Sequence, residues 1–194
     1  MGRTTGDIKS IQTGGAVFDN EKNNSVMTVA VKNNAFAKYA KPGYWNDPDM
    51  LVTGNQGLTV EEQKAHFALW CIMTAPLILG NDPRNMSDDE KKIILNKEAI
   101  AINQDPTEQG RRIKVEGKAE IWAKKLANGN YAVLLLNRDA GENKEITLDW
   151  TDLDLKGNKK IRDVYEQKDI GTYKNKFSKT VAPHASLFLM ITSK

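Results

Sequence analysis

Two kinds of hydrophobic spacing share this chain and change over near residue 108. In the first part the apolar positions fall at helical intervals between short apolar runs. Thr59-Val60-Glu61-Glu62 has Thr and, three residues on, Glu, the signature of a capping box. It predicts a helix from about 60 to 75, with Phe67, Trp70 and Met73 near helical spacing and Pro76 as its end. Leu77-Ile78-Leu79-Gly80 is a short apolar run between Pro and Gly, as a buried parallel strand would be. Ser87-Asp88-Asp89-Glu90 is a second capping box, and Asp88 and Asp89 suit the positive end of the helix that carries Ile93, Ile94 and Leu95. With an extended segment at about 39–46, the order is strand, helix, strand, helix, the rhythm of a parallel sheet or barrel.

After Gln104-Asp105-Pro106 the spacing becomes that of strands. Ile113 and Val115 alternate with charges. Ala119 to Leu126 and Tyr131 to Leu136 join through Asn128-Gly129, a strong hairpin signal. Ile146, Leu148 and Trp150 alternate with polar residues, and Leu187 to Ile191 is a continuous apolar strand. Several short strands at this spacing predict an antiparallel sandwich. The sequence therefore reads as α/β material over 1–108 followed by an all-β domain over 109–194.

Composition narrows the class of function. The 194 residues are 40% hydrophobic and 27% charged, as in soluble globular proteins. No apolar run approaches the ~18 residues that span a bilayer, and the first residues lack the apolar core of a signal peptide. Residues 1–108 hold 11 Lys+Arg against 14 Asp+Glu, and residues 109–194 hold 17 against 11. The basic residues of the second part alternate with acids along strands, so they read as a solvated face rather than a nucleic-acid site. No membrane partner is indicated either. The single cysteine, Cys71, sits in an apolar helical stretch, and His66 and His184 are far apart. Neither a disulfide, a metal site nor a cofactor is expected.

The chemistry concentrates in Gly43-Tyr44-Trp45-Asn46-Asp47-Pro48-Asp49-Met50-Leu51, followed by Gly54-Asn55-Gln56-Gly57. A proline between two acids restricts the backbone of both neighbours and holds the carboxylates on a stiff turn. Rigid carboxylates beside an aromatic ring suit a sugar, whose hydroxyls they grip while the ring covers its apolar face. Asn-Asp-Pro-Asp is also an ordinary turn sequence, and position favours a site. Asp47 and Asp49 follow the first strand, and Asn81-Asp82-Pro83 follows the second, so both acidic turns fall on the rim where parallel folds carry their catalytic loops. Arg3-Thr4-Thr5-Gly6-Asp7 puts an arginine four residues before an acid on a Gly-containing turn, able to orient a hydroxyl and a proton donor together.

These blocks resemble the C-terminal half of family 27 glycoside hydrolases, the α-galactosidases and α-N-acetylgalactosaminidases. The matching residues are Arg3-Thr4-Thr5-Gly6-Asp7, Trp45 to Leu51, Gly54-Asn55 with Gly57, Ala75-Pro76-Leu77, Asn81-Asp82, and Ala101-Ile102-Asn103-Gln104-Asp105, with Pro183-His184 similar near the end. The resemblance implies the C-terminal part of a (β/α)8 TIM barrel followed by an antiparallel β-sandwich. It implies retaining hydrolysis of terminal α-galactosides. Asp7 would be the general acid/base, Arg3 would bind the sugar near it, and Asp49 and Met50 would line the galactose pocket. Asp47 would brace the turn, and Trp45 would pack beneath it.

A retaining glycosidase needs a second carboxyl group as nucleophile, about 5–5.5 Å from the acid. The family carries it in a Lys-Tyr-Asp motif earlier in the chain, whereas here Lys38-Tyr39 is followed by Ala40. Gly2 stands where the family has tryptophan, and Met1 reads as an imposed start. The expectation is a fragment without the nucleophile, inactive alone, whose barrel part is poorly stable and open to a missing N-terminal barrel half. A sugar-binding or complementing subunit is the alternative role. α-N-acetylgalactosaminides and β-L-arabinopyranosides are the alternative substrates. Compartment stays open, with a secreted or periplasmic parent compatible.

Overall fold

A computed structural model describes residues 2–8, 17–22, 24–55 and 57–192; Met1 and Gln56 of the blocks above lie outside them. Strand β1 (Gly2–Arg3) leads to helix α1 (Val26–Asn34), strand β2 (Asn46–Asp47) and helices α2 (Val60–Ile72), α3 (Asp88–Ile94) and α4 (Lys97–Gln104). Eight strands follow: β3 (Arg111–Glu116), β4 (Ala119–Lys125), β5 (Tyr131–Asn137), β6 (Lys144–Asp149), β7 (Asn158–Asp163), β8 (Lys168–Lys174), β9 (Lys176–Val181) and β10 (Ser186–Ile191). The first part is a partial barrel and the second an antiparallel sandwich. No helix among the described residues is long and apolar enough to cross a membrane.

Both predicted capping boxes form. Thr59 accepts from the Glu62 amide while Glu62 accepts from that of Thr59, and Ser87 and Glu90 do the same. Helix α1 carries a third, between Ser25 and Thr28. Three expectations need correction. The extended segment at 39–46 is a 3-10 turn at Ala37–Tyr39 and a tight Lys41–Tyr44 turn, leaving only Asn46–Asp47 as strand. Pro42 and Gly43, the latter at φ 83°, impose that reversal. Leu77–Gly80 is not a fully buried strand. Only Leu79 bridges, to Leu51, and Ile78 is 49% exposed, because a neighbour is present on one side alone among the described residues. The helix from Ser87 stops at Ile94, and Asn96 caps a separate α4 through the Ala99 amide.

The sandwich is a six-stranded sheet, ordered β3-β4-β5-β10-β7-β8, against a two-stranded sheet of β6 and β9. Asn128-Gly129 turns β4 into β5, with Gly129 at φ 84°. The large sheet is covered on both faces, which is why β5 is apolar nearly throughout. Trp122, Leu134, Leu136 and Phe188 face the helices and share one core with Phe67, Leu69, Trp70 and Ile72 of α2. Ile121, Ala123, Val133 and Leu135 face the other way and meet Ile146, Leu148, Phe177 and Val181. The barrel part is thus no free-standing unit. Its helices roof one face of the sandwich.

Polar links fasten that roof. The buried Lys124 ammonium donates to Thr74 Oγ1 at 2.7 Å, Ile102 O at 2.7 Å and Asp105 O at 2.8 Å, tying down the end of α4. Burial pulls Lys124 down to about 8, with Asp105 opposing. Arg162 forks onto Glu98, Asn96 donates to Val164 O, and Tyr165 donates to Lys64 O at 2.6 Å. His184 meets Glu62 at 2.6 Å. Glu120, 1% exposed, accepts from Arg112, Arg138 and Trp122, and Arg138 also forks onto Asp19. Burial works against the Arg138 charge, but bonds to Asp19 and Glu120 outweigh it and raise its proton affinity further.

Candidate active site

Strands β1 and β2 are parallel, with Gly2 opposite Asn46 and Arg3 opposite Asp47. A third segment joins them where Leu51 N donates to Ile78 O at 2.7 Å and Gly80 N donates to Leu51 O at 2.8 Å. Parallel pairing sends all three chains out on one side. Thr4–Ile8, Pro48–Met50 and Gly80–Asp82 therefore converge on a single rim.

One guanidinium nitrogen of Arg3 lies 2.7 Å from Asp7 Oδ1 and 2.6 Å from Asp49 Oδ1. The two carboxylates differ in setting. The Asp7 side chain is 92% exposed and that of Asp49 only 8%. Asp49 also has φ 136°, a left-handed backbone that costs a non-glycine residue roughly 1–3 kcal/mol. Four hydrogen bonds hold it there. Its Oδ2 accepts from Ile8 N at 2.6 Å and its Oδ1 from Met50 N at 2.7 Å. Its own amide donates to Asp47 Oδ1 at 3.0 Å, and its carbonyl accepts from Trp70 Nε1 at 2.8 Å. Asp47 thus braces the turn, and Asp49 locks the loop containing Asp7 to the loop containing Met50. The Thr5 hydroxyl adds a bond to Pro48 O, and Thr4 Oγ1 reaches the buried Asn33 Oδ1 at 2.7 Å.

Met50 follows at 46% exposed, its side chain against Gly80. Trp45 is half-buried and lines a groove with Pro76, Leu77 and Gln104. Asp82 stands on the third loop with its carboxylate forked by Arg84, and that hydrogen bonding lowers its proton affinity. Arg3, Asp7, Asp49 and Met50 are thus brought together, while Tyr39, of the Lys-Tyr pair, is 57% exposed in a turn outside this cluster. Among the described residues no group of acids, histidines and cysteine could hold a metal ion.

A row of positioning residues lay hidden in α2. Gln63, His66 and Trp70, at intervals of three and four, face the Asp49–Gly54 loop. Gln63 Oε1 accepts from Gly54 N at 3.0 Å, His66 Nε2 accepts from Val52 N at 3.0 Å, and Trp70 holds Asp49 O. His66 packs edge-on against Trp70 with ring centroids 4.1 Å apart. Burial lowers its pKa to about 3, so the ring is neutral with its proton on Nδ1. The available signal was two polar residues on an otherwise apolar helical stripe.

Comparison with known proteins agrees with this architecture. Residues 16–105 match the family described as alpha galactosidase A, and residues 116–191 match the alpha galactosidase C-terminal beta sandwich domain. Alpha-galactosidase 2 of Arabidopsis thaliana is 39% identical over 195 residues, covering 99% of this chain and 46% of that protein. Alpha-galactosidase A of Cellvibrio japonicus is 41% identical over 174 residues, covering 89% and 43%. The crystal structure of alpha-galactosidase I from Mortierella vinacea superposes with a TM-score of 0.87 at 32% identity, covering 99% of this chain and 53% of that one. The chain spans about half the length of the curated relatives it matches.

Proposed function

We propose, from the matches over residues 16–105 and 116–191, that this chain is a C-terminal part of a family 27 α-galactosidase and carries the acid/base part of its retaining site. Residues 1–108 are then the C-terminal portion of the (β/α)8 catalytic barrel, and 109–194 the C-terminal sandwich. The observation behind this reading is the Arg3 guanidinium shared between the exposed Asp7 and the buried Asp49. Asp7 is the one carboxylate of the pair free to meet a substrate.

In the first step Asp7 gives its proton to the glycosidic oxygen as that bond breaks, and a second carboxylate attacks the anomeric carbon to form a glycosyl ester. In the second step Asp7, now a carboxylate, takes a proton from water, and the hydroxide oxygen displaces the ester. Arg3 orients Asp7 and a sugar hydroxyl. Asp49 and Met50 form the wall of the galactose pocket. Asp49 does not serve as nucleophile, since both its oxygens are committed and covered, and Asp47 is spent on the Asp49 amide. By the resemblance, the nucleophile belongs to an N-terminal barrel half that is not among these 194 residues. It docks on the edges of β1 and the Leu79 segment that have no neighbour among the described residues, where Ile78 stands about half exposed. That docking also encloses Asp7, as a general acid requires.

The test is an aryl α-galactoside assay of this chain alone and co-expressed with the N-terminal half of a relative. The reading expects turnover only in the pair, abolished by Asp7→Asn. Turnover by the chain alone, or by the Asp7→Asn pair, refutes it. Aryl α-N-acetylgalactosaminide and β-L-arabinopyranoside in the same assay decide the sugar. A folded pair that binds galactose without turnover supports the complementing, non-catalytic role instead.

A further inference from the structure

The connection from α1 to β2 carries a surface the site does not use. Between Glu21 and Asp47 the chain holds no acidic residue, while Lys22, Lys32, Lys38 and Lys41 fall in that interval. Phe36, Tyr39 and Tyr44 in the same connection are 42%, 57% and 48% exposed. Phe36 and Tyr39 lie with ring centroids 6.3 Å apart, and Lys38 Nζ sits 5.0 Å from the centre of the Tyr39 ring. Lys38 and Lys41 enter none of the ion pairs found among the described residues. Exposed aromatic rings grouped with unpaired lysines are unusual on a free surface, where single apolar residues are the rule. This connection precedes β2, so it lies at the end of the barrel part opposite the rim that follows β2.

We infer that this patch is a docking surface for an anionic polysaccharide, with pyranose rings lying on Tyr39 and Phe36 and uronate carboxylates against Lys38 and Lys41. Aromatic faces carry partial negative charge and meet the slightly positive C–H face of a sugar ring. A polymer of like-charged rings is attracted to the exposed Lys38 and Lys41, on a segment that carries no acid of its own. Nucleic acid is the poorer match, because the interval contains no arginine, the residue whose planar fork recognises phosphate. A membrane is poorer too, because the aromatics sit on a 3-10 turn and a tight reversal, not along an amphipathic helix. The choice of a sugar polymer rests on the glycosidase reading. The binding itself needs no catalysis, so loss of either leaves the other testable.

The experiment is affinity electrophoresis of the whole chain in gels containing polygalacturonate, neutral galactomannan, single-stranded oligothymidylate or no polymer, and sedimentation with phosphatidylserine vesicles. The expected result is retardation by polygalacturonate alone, weakened about tenfold between 0.05 and 0.5 M salt as charges are screened. Lys38→Gln with Lys41→Gln should abolish it, and Tyr39→Ala should weaken it about tenfold. All three side chains are exposed, and circular dichroism verifies the fold. Equal retardation by galactomannan, stronger binding to oligothymidylate or vesicles, or polygalacturonate binding that survives the double lysine substitution each overturns the proposal.

Discussion

His66 gives the sharpest test of how the site loop is held. Its Nε2 accepts the Val52 amide and its Nδ1 has no partner, so the folded protein accommodates only the neutral ring. Burial lowers the folded pKa to about 3, against 6.5 for a free imidazole. A base with a depressed folded pKa contributes stability fully above pH 6.5 and loses it as pH falls toward 3, because the unfolded chain takes a proton that the folded one refuses. At pH 5 the unfolded ring is almost fully protonated, which by linkage costs about 2 kcal/mol relative to pH 7. His66→Gln keeps an acceptor for Val52 and removes the titration. Urea unfolding of both proteins at pH 7 and pH 5 isolates the effect, since every other side chain is common to the two. The wild type should lose about 2 kcal/mol more than His66→Gln. Equal losses would refute the buried, neutral assignment.

Four further outcomes follow from the packing. Glu120→Ala leaves the Trp122 indole N–H and Arg112 without their carboxylate and Arg138 with Asp19 alone, and should cost about 2–4 kcal/mol in the unfolding midpoint analysis. Lys124→Met leaves two carbonyls and the Thr74 hydroxyl without their donor and should cost about 1–3 kcal/mol. Asp49→Ala removes the acceptor of two amides at a backbone angle alanine resists, and should cost about 2–4 kcal/mol, whereas the exposed Asp7→Asn should not move the midpoint; the reverse ranking would sink the site geometry. Hydrogen exchange should show α2 amides as protected as those of β5, and fast exchange in α2 beside slow exchange in β5 would contradict the shared core.

What was legible in the sequence was local. The boxes at Thr59 and Ser87 and the turn at Asn128-Gly129 each depend on residues within four positions, and they form as read. Helix α1 escaped notice because its box uses Thr28 where Glu or Gln is the usual sign. Strands β7 and β8 escaped because most of their residues face solvent and carry no apolar alternation. Leu77–Gly80 misled because apolar composition reports a place in a sheet, while burial depends on neighbours on both sides. Arg3, Asp7, Asp49 and Met50 were singled out from two short blocks, and the structure places Arg3 between Asp7 and Asp49. The contacts of Gln63, His66 and Trp70 were not, since each joins a helix to a loop 9 to 21 residues away.

Those non-local contacts make the sandwich part of the site's foundation. Asp49 keeps a strained backbone because Trp70 and Asp47, together with the Ile8 and Met50 amides, fix it. Trp70 is fixed in turn by the core that α2 shares with Trp122, Leu134 and Phe188. Glu62, at the start of the same helix, is bonded to His184, and Lys64 O to Tyr165, so α2 is pinned to the sandwich by polar contacts as well. The expectation of a weak barrel part treated it as alone, with open edges and no roof. Among the described residues the edges have no further neighbour, but the helices behind the site loop rest on a sheet buried on both faces. Instability should therefore concentrate at β1 and the loop that follows it, where Arg3 and Asp7 lie, and not in the loop that holds Asp49. The rigid half of the candidate site is built on the C-terminal domain, and the half that carries the exposed Asp7 lacks that support.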